Sequence, residues 1–194
     1  MRLTTIALTA TTLFASLSLH AAPMPTQEQI NAAVQAGEAK QESSIPIPVK
    51  VTSLQGCQEA PEPEFKDQVV CLVGMSAGMR DGYTLLPLRQ EGDHWVGVER
   101  KHAKFAGPAP AEAQALIRAW AKQEVANNPE LAKDQQMQEA QTTMQVKAIH
   151  DCEVKRSSGY LQCDTILSVP GRPDDIKTEL TFVLETTGWR YVPR

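Results

Sequence analysis

The chain lacks most of the features that mark a specialised protein. Of its 194 residues 5% are aromatic, its 11 glycines follow no collagen-like period, and 19 basic residues face 23 acidic ones, for a net charge of −4. Without a positive excess the chain is a poor candidate for nucleic acid, whose protein partners are usually basic. No Cys-x-x-Cys or His-x-x-x-His spacing occurs, so neither a zinc site nor thiol redox chemistry is indicated. Gly74-Met75-Ser76-Ala77-Gly78 carries the letters of a Gly-x-Ser-x-Gly elbow, but such an elbow presents its nucleophile at a strand-to-helix turn, and a strand pattern, not a helix, follows here at 83–88. Residues 74–82 are rich in glycine but lack the Gly-Lys-Ser/Thr ending of a phosphate loop. That segment reads instead as a flexible hairpin tip carrying Met75 and Met79. What is present, 42% hydrophobic and 22% charged residues, has the balance of a globular chain and not of a disordered one.

The first 22 residues read as a cleaved secretory signal. Arg2 gives a positive start, Leu3 to Leu19 carry no Asp, Glu, Lys or Arg, and small residues follow at Ala21-Ala22. Seven threonines and serines make the 17-residue run too mild for a membrane span, which needs about 20 strongly apolar residues. Removal of Arg2 changes the balance to 18 − 23, or −5. The style of this leader implies export to the periplasm of a Gram-negative bacterium.

An even set of four cysteines in an exported chain implies disulfides. Spacing favours Cys57–Cys71 and Cys152–Cys163, two local loops of similar size, each worth about 3 kcal/mol in the loop-entropy model. Other landmarks fall into step around these pairs. Val49-Lys50-Val51 precedes the first and Val146-Lys147-Ala148-Ile149 the second. Apolar runs follow at Leu72-Val73 and Ile166-Leu167, then strands at 83–88 and 180–185, then Trp95 and Trp189 after Gly92 and Gly188. Five landmarks in the same order imply a duplicated unit, with boundaries at 23–107 and 108–194. Each unit is expected to be α+β, a helix followed by a four-stranded antiparallel meander with one disulfide joining its first two strands.

Thr26-Gln27-Glu28-Gln29 has capping-box form before the stripe Ile30, Ala33, Val34, Gly37. Pro110 is suited to open the second helix, with Ala113, Leu116, Ile117, Trp120, Ala121 and Val125 on one face. Asn127-Asn128-Pro129 stops it, and a further polar helix is expected over 130–143. A helix on such a meander resembles cystatin-like or nuclear-transport-factor-2-like architecture, in fold only. Neither family's sequence motifs are present, so the likeness implies no activity.

Candidate chemistry is sparse. His94, His102 and His150 lack recognised ligand spacing, and His150-Asp151 is at most half of a hydrolytic pair. No catalytic residue, metal or cofactor is therefore predicted. The segment with most to say is 58–67, inside the first cysteine loop. Prolines stiffen it, Glu59, Glu62 and Glu64 charge it, and Phe65 stands as an apolar tip with little local cover. A rigid loop loses less entropy on binding, and an acidic, aromatic-tipped one suits a basic cleft. Its counterpart, 153–160, is basic instead. The expected function is non-catalytic: a periplasmic protein-binding immunity protein or inhibitor whose partner is an envelope-acting toxin or hydrolase, neither nucleic-acid-binding nor membrane-integral. Two rivals remain. One is a small-molecule or lipid binder, or an enzyme, using a pocket between helix and sheet; the other is a passive envelope component.

Overall fold

The capping box at Thr26 forms as its residue types demand. Thr26 Oγ1 accepts from Gln29 N at 3.3 Å and Gln29 Oε1 accepts from Thr26 N at 2.9 Å, which starts helix α1, Gln27–Glu38. In this computed structural model the described residues are 24–40 and 48–193; the expected leader lies outside them. The chain is α+β, with two four-stranded antiparallel sheets. The first is a meander of β1 (Val49–Glu59), β2 (Gln68–Ala77), β3 (Arg80–Glu91) and β4 (His94–Gly97). Helix α2 (Pro110–Asn127) follows, then α3 (Gln135–Gln141). The second meander comprises β5 (Gln145–Val154), β6 (Leu161–Ser168), β7 (Ile176–Glu185) and β8 (Gly188–Val192).

Both expected disulfides are present, Cys57–Cys71 and Cys152–Cys163, and each links the first two strands of its sheet. Cys57 lies directly opposite Cys71, whereas Cys152 falls where the β5–β6 register is interrupted between His150 and Glu153. Helix side chains tie each first strand at the same distance from its cysteine. Asn31 Oδ1 accepts from Val51 N at 3.1 Å, and Gln114 Oε1 accepts from Val146 N at 3.0 Å. Both valines are buried, and the register shifts just after each.

The two sheets are buried differently, for a reason visible in their strands. In β2 the apolar run Val69-Val70-Cys71-Leu72-Val73 is continuous, and both faces are covered. Val69, Cys71 and Val73 face α1 with Ile30, Ala33 and Trp95, while Val70 and Leu72 join a second core with Phe105, Ile117, Leu161 and Phe182. In β6 the buried residues alternate, Leu161, Cys163, Thr165 and Leu167, the pattern of a sheet covered on one side. One core thus draws on both halves. Close approach between them uses glycine: a Cβ on Gly56 would lie 2.5 Å from Leu184 Cδ2, and one on Gly107 would meet both sulfurs of Cys152–Cys163 at 2.8 and 2.9 Å.

Two expectations need revision. The helix foreseen over 130–143 divides into a 3-10 turn, Pro129–Lys133, and α3. Asp134 is extended between them and its carboxylate caps Met137 N at 2.9 Å, the placement its short acceptor side chain prefers. The tip at 74–82 is largely strand, with only Gly78-Met79 turning and Gly78 in the left-handed region at φ 62. Met79 is fully exposed there, whereas Met75 packs into the α1 core.

Candidate functional site

The acidic segment leaves β1 at Glu59 and returns to β2 at Gln68. Its base is closed by the disulfide and by Ala60 N donating to Gln68 O at 2.9 Å. Pro63–Phe65 forms a 3-10 turn, with Phe65 N donating to Glu62 O at 3.0 Å. One distant side chain then holds the turn. Arg100 Cζ lies 4.4 Å from the Phe65 ring centre, its Nη2 is 3.5 Å from Glu62 Oε2, and its Nη1 donates to Gln68 Oε1 at 3.3 Å. The Arg100 side chain is 7% exposed and that of Glu62 18%. The ion contact is electrostatic without hydrogen-bond geometry, because Arg100 Nε and Nη2 and Glu62 Oε2 have no hydrogen-bond partner.

The predicted residues thus divide. Glu59 and Glu64 are exposed, and Glu62 and Phe65 are half-buried under Arg100. Phe65 also packs against the larger core, so the expectation of an uncovered aromatic tip does not hold. Arg100 went unrecognised from sequence, where it stood in a basic run with His102 and Lys104; only its cationic type hinted at an acidic partner.

The basic counterpart, 153–160, is partly consumed inside the molecule. Arg156 O accepts from Tyr83 N at 2.8 Å, where β3 extends beyond short β4 and has a free edge. Gly159, at φ 73, sits where a Cβ would meet Tyr83 Cδ1 at 2.6 Å and Gln55 Nε2 at 2.5 Å. The side chains of Lys155 and Arg156 remain exposed.

Between the two loops runs an open groove of about 950 Å³, lined among others by Arg100, His102, Lys104, His150, Asp151 and Arg156. His150 Nδ1 lies 3.0 Å from Asp151 Oδ2, and Lys104 Nζ 3.5 Å from Asp151 Oδ1. The His150 hydrogen bond, then Lys104, holds the Asp151 carboxyl below its ordinary pKa. Asp151 itself sits in the left-handed region at φ 47, in the β5 bulge, where Asp is better tolerated than most residues. Asp164, opposite His150 in the ladder, completes an exposed cluster with donor atoms within 4.8 Å of one another. His150 and Asp151 were singled out from sequence; Asp164 becomes legible only once the register is known. Among the described hydrogen bonds, that of His150 goes to Asp151 and not to a serine. His94 is exposed beside Asp93.

No protein-family model matches the chain, and neither a curated protein nor a solved structure is significantly similar to it. No helix among the described residues is long and apolar enough to cross a membrane.

Proposed function

We propose that this is a non-catalytic protein-binding protein of the periplasm, an immunity protein or inhibitor that presents the 59–67 loop to a basic surface of an envelope-acting toxin or hydrolase. The observation that carries this reading is the clamp: a disulfide below, two prolines within and Arg100 behind hold the loop in one shape, while Glu59 and Glu64 stay exposed. Such a loop has lost its conformational freedom before it meets a partner, which is what preorganised binding requires. Its exposed carboxylates would steer a basic partner and set register more than they would add affinity.

The scaffold behind the loop fits a duplicated unit. The order of strands, the bridge between first and second strand, and the matched ties at Val51 and Val146 support it. A cystatin-like or nuclear-transport-factor-2-like unit accounts for each half, with boundaries at 23–107 and 108–194. On this view one loop has stayed outward and acidic, while the other has turned basic and docks on its neighbour. Export by a cleaved leader over 1–22 would deliver the chain to a compartment where its disulfides persist.

The test is capture from periplasmic extract with the oxidised mature chain, followed by size-exclusion chromatography with light scattering. A stoichiometric complex with a basic protein is expected, abolished or strongly weakened by Glu59→Lys with Glu64→Lys. Recovery of no stoichiometric partner would end the proposal.

A further inference from the structure

The outer edge of β3 is only partly used by the chain itself. β4 pairs with it over Leu88–Glu91, and just beyond β4 Val98 N donates to Pro87 O at 3.0 Å. Further along, Tyr83 N donates to Arg156 O at 2.8 Å. Alternate residues of an antiparallel strand turn both backbone groups to the same side, so Tyr83, Leu85 and Pro87 all address this edge. The β2–β3 ladder agrees. Its two-residue hairpin closes on the pair Ala77 and Arg80, and alternation from there turns Leu85 away from β2. Leu85 thus stands between two positions that the chain pairs with its own segments, and no described hydrogen bond reaches its N–H or C=O.

Leu85 lines the 950 Å³ groove together with Tyr83, Thr84 and Arg156. Ile149 lines it too, and alternation in the β5–β6 ladder turns the backbone of Ile149 outward in the same way. An open groove bordered by unpaired strand edges suits β-strand addition, in which an extended segment takes main-chain hydrogen bonds from a sheet edge. Charge narrows the occupant further. Of the acids in the lining, Asp151 is already engaged by His150 and Lys104. The Arg156 side chain is exposed and has no ion pair among the described residues, although its carbonyl is fixed on Tyr83. A cation anchored by its backbone beside an open strand position can take a carboxylate from whatever strand is added there.

We propose that this groove takes an extended peptide segment that adds to β3 at Leu85 and carries a carboxylate for Arg156. The assignment rests on the strand edges and not on the acidic loop. Its probes are capped hexapeptides of one β-branched pattern, Thr-X-Val-X-Val-Thr, with X as Glu, Gln or Lys. Titration of the intact, isotope-labelled, oxidised protein should show saturable shifts at the Leu85 amide, with affinity in the order Glu, Gln, Lys. The Glu peptide should weaken with added salt. In the free protein the Leu85 amide should exchange faster than those of Thr84 and Leu86, which are bonded to β2, and the Glu peptide should slow it. N-methylation of that peptide, one amide at a time, should weaken binding in alternation, by about threefold to tenfold at each bonded amide. Arg156→Gln keeps the carbonyl on Tyr83 and should bring the Glu peptide down to the level of the Gln peptide. Absence of saturable binding by the Glu peptide would overturn the proposal, as would binding that leaves Leu85 unmoved. So would N-methyl effects without alternation, or an Arg156→Gln variant that binds the Glu peptide as the parent does. Protection of Leu85 that rises with concentration of the protein alone would assign the edge to a second copy and overturn it as well.

Discussion

Arg100 holds the acidic loop from behind. It meets Glu62, Phe65 and Gln68 together, and removing one partner from a largely buried pair leaves the other uncompensated. Arg100→Ala should therefore destabilise the fold by about 3 kcal/mol or more, measured by urea denaturation. Arg100→Lys should recover only part of that loss, because a point charge replaces a planar group that stacks on Phe65, donates to Gln68 and lies beside the Glu62 carboxylate. Asp151 is governed by pH instead. Its lowered pKa means that its contribution is present above the ordinary carboxylate range and is lost as pH falls through the folded value. Asp151→Asn should be less stable than the parent near neutral pH, with the gap closing in acid. Asp151→Ala should be less stable still at every pH, because alanine tolerates φ 47 less well. The contacts of Arg100 were invisible in the sequence for one physical reason. Arg100 and Glu62 belong to different loops, and only the folded sheet brings them together.

At the scale of elements, much was legible. The capping box, the Pro110 start, the Asn127 stop, the four-strand order and both disulfides follow from local residue chemistry, which the tertiary fold leaves in place. The burial of β2 on both faces was legible in principle, since its unbroken apolar run differs from the alternation in β6. What that second face packs against was not, because no local pattern encodes a long-range partner. The docking of 153–160 on β3 was hidden for the same reason: the loop supplies a backbone carbonyl and a glycine, which carry no side-chain signal. Gly107 gives a clean check. Ala there meets rigid disulfide sulfurs and should cost about 1–3 kcal/mol. Gly97→Ala has open space around it and should stay within about 0.5 kcal/mol of the parent. Thermal unfolding of the two variants side by side distinguishes them.

For the whole molecule, the shared core predicts joint folding. Val70 and Leu72 belong to the same cluster as Ile117, Leu161 and Phe182, so a fragment of residues 24–107 would expose one entire sheet face. It should bind a hydrophobic dye and lack a cooperative transition, while the intact chain unfolds in one step; a fragment that melts cooperatively as a monomer would contradict this. The account of function rests on the clamped acidic loop, and its most direct test is calorimetric titration of the captured partner with the parent chain and with the Glu59→Lys, Glu64→Lys double variant. Two exposed charges leave the clamp and the core untouched, so stability should be unchanged. Affinity should fall at least about tenfold, as expected when opposite charges across an interface become like charges, and the parent's affinity should weaken with added salt. Equal affinity for parent and double variant would contradict the assignment of this loop as the binding element.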